Sequence, residues 1–298
     1  MVRTKLLTKY RSTPLVAGIK TTPTNCRQWN VTSALKDRLP RDLYTLLVQV
    51  GKQGDKHQVN IFLVGGFVRD LLLGISNLDI DLVVEGNAMS FAKTFAKQQK
   101  GRVKTHGRFG TATVICSDTQ KLDFATARAE HYERPAALPT VKSSSIKNDL
   151  NRRDFTINTL AICLNRGKFG ELLDFYGGQR DLHDQTIRVL HSLSFIEDPT
   201  RVFRAIRFTQ RLNFRLAKET TGLIKTAVSK GVFRRLSKSR LLDEIILLLS
   251  VQTPRKTLQQ LAKFDLLKFI HQKLQWSSTL AHTPVSYTHL TLPTSDLV

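Results

Sequence analysis

Ile61-Phe62-Leu63-Val64-Gly65-Gly66-Phe67-Val68-Arg69-Asp70-Leu71-Leu72-Leu73-Gly74, continued by Asp79-Ile80-Asp81-Leu82-Val83-Val84-Glu85, reads as strand, tight turn, short helix and second strand. The glycine pair lets the backbone approach an anion closely, with a helix N-terminus behind it. Successive strand side chains point to opposite faces, so Asp79 and Asp81 project from the same one. Two hard oxygen ligands side by side suit Mg²⁺, which is usually held by one or two carboxylates plus substrate phosphates. A glycine pair alone mostly marks a turn, and paired acids often just face water. Their order within one unit, with Arg69 between them, points to a metal-dependent triphosphate site.

Outward from this stretch, the chain has 298 residues, room for one large domain or two smaller ones. It carries 46 Lys and Arg against 24 Asp and Glu, a net charge of +22. The excess is spread along the sequence, which points to a polyanionic partner. No apolar run reaches the length of a spanning helix, so a membrane role is not expected. Cys26, Cys116 and Cys163 lie far apart without a C-x-x-C pair, the pattern of reduced thiols in a cytosolic setting and not of a zinc site. The first 20 residues lack the apolar core of a secretory signal, while their lack of acids leaves an organelle transit peptide open.

Residues 1–57 read as a lead-in, partly disordered and ending in a helix, with weak periodicity over 1–38. A helix is expected from Pro40, a strand over 58–64, and a helix over 87–100 with Met89, Ala92, Phe95 and Ala96 on one face. Strands are expected over 102–105, 111–116 and 121–125, making a mixed sheet flanked by helices. Residues 130–150 contain Pro135, Pro139 and three serines and read as a long loop. After Phe155 the pattern turns helical, with helices over 193–212, 218–229, 237–249 and 258–269 and Ser237 as an N-cap. The fold class is α+β: a sheet-bearing first part and an all-α continuation. Residues 285–294 resemble the translation of a transposon-derived sequencing adapter. On that reading everything from about Pro284 is a library artefact, and the natural chain continues past Thr283.

Further candidates for chemistry follow. Asp123, inside an apolar strand, is the expected third carboxylate, as metal ligand or general base. The alternative is a strand-end acid paired with a local Lys or Arg. Arg128 is a candidate partner for a phosphate. In Arg152-Arg153-Asp154-Phe155-Thr156-Ile157-Asn158, the guanidinium forks suit phosphate oxygens, Asp154 suits a ribose hydroxyl, and Asn158 stands at i+4 on the same face. In the 197–208 stretch, Arg201, Arg204 and Arg207 recur every three residues and line one side of a helix. Asp198 and Arg201 offer an acceptor and a donor fork for the edge of a nucleobase; otherwise they form a surface ion pair of little worth.

These clusters, in this order, resemble the class II branch of the nucleotidyltransferase superfamily: tRNA CCA-adding enzymes, their CC- and A-adding relatives, and bacterial poly(A) polymerases. The matching pieces are G-G-x-V-R-D-x-L-L-G at 65–74, D-x-D at 79–81, R-R-D-F-T-I-N at 152–158, L-D-F-Y-G-G at 173–178 followed by Asp181-Leu182, and E-D-P-x-R-x-x-R-x-x-R-F at 197–208. The resemblance covers residues 58–250. It implies that Asp79 and Asp81 bind Mg²⁺ and that Gly65, Gly66 and Arg69 hold the triphosphate of ATP or CTP. Arg152 or Arg153, with Asp154 and Asn158, would bind phosphate and ribose. Asp198 and Arg201 would read the base, with Arg204 and Arg207 in support. The implied reaction joins a nucleotide to a tRNA 3′ hydroxyl and releases pyrophosphate. The implied architecture is a palm-like head over 58–187, a neck over 188–250, and only the start of a body over 251–283. Residues 132–139 resemble the branch that includes A-adding enzymes. Residues 104–113 lack the basic signature of bacterial poly(A) polymerases, so tRNA 3′-end synthesis is preferred to polyadenylation. An inactive RNA-binding relative is the other alternative, and the presence of every expected catalytic side chain argues against it.

Overall fold

The computed structural model describes residues 29–107, 110–117, 120–131, 140–251, 254–271, 274, 276 and 277. The lead-in up to residue 28 with Cys26, the 132–139 segment and the adapter-like end from Pro284 lie outside the described residues.

A two-residue strand β1 (Trp29–Asn30) is followed by helices α1 (Thr32–Arg38) and α2 (Arg41–Lys56). Pro40 sits just ahead of α2, where its missing N–H leaves no helical bond unmade. Leu43, Leu46, Leu47 and Val50, spaced three and four apart, bury one face of α2. Strands β2 (Asn60–Val64) and β3 (Ile80–Glu85) enclose α3 (Gly66–Leu73), which ends at Gly74 in the left-handed conformation. Helix α4 (Ala88–Gln98) starts at Asn87, whose side chain accepts the Ser90 N–H. Strands β4 (Arg102–His106), β5 (Thr111–Ser117) and β6 (Gln120–Thr126) form an antiparallel meander.

Strands β7 (Arg128–His131) and β8 (Thr140–Ser143) pair as a separate antiparallel ribbon, and α5 (Ile146–Asn151) follows. Next come β9 (Leu160–Cys163), β10 (Glu171–Asp174), α6 (Gly178–His183) and β11 (Thr186–Ile187). The helical half holds α7 (Ser194–Glu197), α8 (Thr200–Leu212), the short β12 (Arg215–Leu216), α9 (Lys218–Ser229), α10 (Lys238–Leu249), α11 (Pro254–Lys263) and α12 (Leu267–Ile270).

Eight strands form the main sheet in the order β1-β10-β9-β2-β3-β6-β5-β4. Only the β3–β6 pair in it is parallel, and its register sets Asp81 opposite Asp123. One side of the sheet is covered by α4, where Phe91, Phe95 and Phe124 make mutual ring contacts. The central strand β2 is buried from Ile61 to Val64, so the turn after it rests on a rigid base. Among the described residues no helix is long and apolar enough to cross a membrane.

The α+β class and the order of parts agree with expectation, and Ser237 caps α10 by accepting the Arg240 N–H. Several boundaries need correction. Residues 29–57 are part of the fold and not a lead-in: β1 pairs with β10, and Leu35, Leu47 and Val50 are fully buried. The 130–150 stretch is not one loop, since β7, β8 and α5 occupy most of its described part. The onset of helix after Phe155 is interrupted by β9 and β10, four-residue strands too short to show a period. Asp79 stands just before β3 and outside its ladder.

Candidate active site

The turn between β2 and α3 fixes one end of a cleft of about 660 Å³. Gly65 has φ 72° and ψ −135°, a conformation that side chains disfavour. A Cβ on Gly65 would lie 2.9 Å from Arg153 Nη1 and 3.9 Å from Asp81 Oδ2. The bare turn, one guanidinium and one carboxylate therefore share a single small space.

Asp79 and Asp81 both border this space. Asp81 keeps an exposed edge, yet the cleft walls strip enough water to push its carboxyl up to about 6. Burial is the main cause, Asp79 and Asp123 add repulsion, and Arg153 opposes them. Asp123 accepts bonds from the Thr113 hydroxyl and from Lys121 Nζ. It lines an adjoining hollow shared with Asp81, Arg152 and Arg153, and not the main cleft. Among the described residues no three acid, His or Cys side chains converge to cage a metal. What remains is two hard oxygen donors whose mutual repulsion a cation would relieve. That set fits Mg²⁺, which takes one or two carboxylates and fills its shell with water and phosphate oxygens.

The wall beside the turn comes from α5 and the residues after it. The fully buried Asp149 accepts Arg152 Nε and Nη2 at 3.1 and 2.8 Å and Arg153 Nη2 at 3.0 Å. Burial alone would raise the Asp149 carboxyl, but the two arginines outweigh it and hold it below the usual range. Arg152 Nη1 also donates to Glu130 on β7 at 2.8 Å. Arg153 Nε is buried without a hydrogen-bond partner among the described residues.

Helix α8 forms the far wall. Arg204 grips the buried Asp154 through Nε and Nη2, at 2.9 and 2.6 Å from one carboxylate oxygen. The other oxygen accepts the Asn158 amide at 2.9 Å, and Asn158 in turn accepts Arg69 Nη1 at 2.7 Å. Burial pushes the Asp154 carboxyl up, but Arg204 and Asn158 overcome it and leave it low. Phe208 lies under three guanidinium groups, those of Arg69, Arg207 and Arg204, at 5.1, 5.5 and 5.9 Å from its ring centre. Arg201 is buried and donates to Ser194 Oγ and to the Arg152 carbonyl. Asp198 accepts the Thr200 N–H and hydroxyl and Arg240 Nη2. Glu244 on α10 faces Arg207 at 3.7 Å and Arg204 at 3.9 Å. Its Oε2 and Arg207 Nε are buried without hydrogen-bond partners among the described residues, and burial raises the Glu244 carboxyl.

The cleft thus collects Gly65, Gly66, Arg69, Asp79, Asp81, Arg152, Arg153, Asp154, Asn158, Asp198, Arg201, Arg204 and Arg207, and leaves Asp123 beside it. Arg69, Asp154 and Arg201 direct their polar atoms mainly at other protein groups, which favours a positioning role over direct contact with a ligand. The sequence reading missed Asn77, Glu130, Thr200, Phe208, Arg211 and Glu244 as cleft residues. Arg211 lies four residues after Arg207 on the same side of α8 and was open to detection; Glu244 lies in an apolar helix with no local signal.

Comparison with known proteins identifies relatives of the chain. Residues 61–188 match the family profile of the poly A polymerase head domain, and residues 213–276 that of the probable RNA and SrmB-binding site of polymerase A. An A-adding tRNA nucleotidyltransferase of Geobacter sulfurreducens is 51% identical over 248 residues, 83% of this chain and 28% of that protein. One from Halalkalibacterium halodurans is 39% identical over 265 residues, 88% of this chain and 60% of that one. The solved Thermotoga maritima CCA-adding enzyme complexed with tRNA superposes with a TM-score of 0.75 at 43% identity, over 84% of this chain and 57% of that one. The chain thus spans between about a quarter and three fifths of these relatives' length.

Proposed function

From a chain that belongs to the class II tRNA nucleotidyltransferase and poly(A) polymerase family, we propose a template-independent transferase acting in the cytosol on tRNA. It joins AMP, and CMP if CTP is accepted, to the 3′ hydroxyl and releases pyrophosphate. One observation carries this reading: a carboxylate pair and a bare glycine turn face an arginine-lined helix across a single cleft.

The residues divide the work. Gly65 and Gly66 leave room for phosphate oxygens against the backbone and the start of α3. Arg153, beside the turn and with Nε unpartnered, supplies positive charge there. Asp79 and Asp81 would hold Mg²⁺, which when bound neutralises phosphate charge and favours the attacking hydroxyl as alkoxide. Asp123, opposite Asp81 in the β3–β6 register, would stand as a further carboxylate beside that cation. Phe208 and its arginines offer a flat, cationic platform for the base and sugar. Asp198 and the Arg207–Glu244 edge supply acceptors and donors to its rim. On this reading residues 58–187 act as the catalytic head, 188–250 as the neck, and 251–283 as the start of the body.

The test is incubation with Mg²⁺, labelled ATP or CTP, and three RNAs: tRNA ending before CCA, tRNA ending in CC, and a generic RNA. One AMP added only to the CC-ended tRNA is the expected result, in keeping with the A-adding relatives. Long A tails on any RNA would identify a poly(A) polymerase instead. Retained tRNA binding with no incorporation overturns the enzymatic reading.

A further inference from the structure

Asp79 is not fixed by a strand ladder, because the β3–β6 register begins at Ile80. What fixes it is Asn77. The Asp79 N–H donates to Asn77 Oδ1 at 2.9 Å, and Asn77 Nδ2 donates to Asp70 Oδ2 at 2.8 Å. The orientation of this amide is forced, since a carboxylate only accepts and a backbone N–H only donates. Asp70 is fully buried and takes two further donors. Arg69 reaches Oδ1 at 2.8 Å, and Arg211 of α8 reaches Oδ2 at 3.2 Å. Arg69 also leads, through Asn158 and Asp154, to Arg204 on the same helix. Arg204 and Arg211 are seven residues apart and therefore share a face.

We propose that Asn77 is a positioning residue for Asp79, and that the chain Arg211–Asp70–Asn77 couples the placement of this carboxylate to the seating of α8 on the sheet-bearing half. The proposal rests on the reading of Asp79 as a cation ligand. In it, Asn77 binds no substrate; it holds the loop between α3 and β3 in one conformation. Arg211, whose side chain is 47% exposed, reports through Asp70 whether α8 is docked. Removing an outer partner of a metal ligand typically lowers metal affinity by about tenfold or more.

The test uses the whole chain with Asn77→Ala, Asn77→Ser and Arg211→Met. It reads amide hydrogen exchange at Asp79 without metal, and Mn²⁺ affinity by electron paramagnetic resonance. Asn77→Ala is expected to speed Asp79 exchange and to weaken Mn²⁺ binding by about tenfold. Asn77→Ser keeps an acceptor for the Asp79 N–H and restores exchange protection. Arg211→Met raises Asp79 exchange in the unaltered background and adds nothing on top of Asn77→Ala, the signature of one shared chain. Unchanged Asp79 exchange and Mn²⁺ affinity in Asn77→Ala overturns the positioning role. An Arg211→Met effect that is absent, or fully additive, overturns the coupling to α8. Exchange at Asp79 does not depend on turnover. A chain that fails to incorporate AMP while Asn77→Ala still frees this amide refutes the transferase reading and leaves the positioning intact.

Discussion

Asp81 carries the sharpest consequence at the scale of one residue. Its carboxyl stands at about 6 against an ordinary 3.8, chiefly through burial and then through Asp79. Between those values the folded chain holds a proton that the unfolded chain lacks. Its contribution to stability is therefore present at low pH and is lost as pH rises through about 6. In metal-free protein, Asp81→Asn should raise the melting temperature at pH 8 and leave it nearly unchanged at pH 4. The same proton competes with a cation, so Mn²⁺ affinity should fall as pH drops below about 6. Asp79→Asn should move that midpoint to lower pH by removing the neighbouring charge; an unmoved midpoint would refute the pairing. Both acids were legible in the sequence because a short turn and a strand place them locally. That Arg69, Asp154 and Arg201 bond mainly inward was not, because their partners Asn158, Arg204 and the Arg152 carbonyl lie from 49 to 89 residues away.

At the scale of elements, α8 is the piece on which the cleft turns. Its apolar face, with Val202, Phe203 and Ile206 fully buried, was plain from periodicity. Its polar face is built by distant carboxylates: Asp154 under Arg204, Asp70 under Arg211, and Glu244 beside Arg207. Arg204→Met would leave Asp154 buried without its two-pronged donor. The expected loss is about 3 kcal/mol, the lower end for a broken buried pair because Arg204 is itself a third exposed. Urea unfolding would measure it, and adding Asp154→Asn should cost less than the sum of the two single changes. Full additivity would show that the pair does not act as a unit. The same distance argument explains the missed strands. β1 owes its pairing to Leu172 and Glu171 in β10, and two residues carry no pattern of their own. The β7–β8 ribbon was hidden by prolines that signal only an interruption, not what flanks it.

The whole molecule adds a division of charge that no single motif displays. Positive side chains inside the cleft are largely matched by Asp70, Asp149, Asp154 and Glu244. The chain as a whole nevertheless carries a net charge of +22. One hollow in the helical half is bordered by Lys225, Lys230, Arg234, Lys263 and Lys268, of which Lys268 pairs with Asp265. It falls within the stretch that matches the RNA-binding profile. If this face holds tRNA while the cleft holds the nucleotide, the two ligands should respond to salt differently. Neutralising about four phosphates predicts a loss in tRNA affinity of about a hundredfold between about 50 and about 200 mM salt. Lys230→Gln combined with Arg234→Gln should weaken tRNA binding regardless of its 3′ end, and flatten the salt dependence by about one logarithmic unit per charge removed. Fluorescence anisotropy with labelled tRNA measures both, and ATP affinity is followed on the same variants. Equal losses for ATP and tRNA would place these cations in the nucleotide site and overturn the division. An unchanged salt slope would mean that the RNA is gripped elsewhere, along the face of α8 or the β7–β8 ribbon.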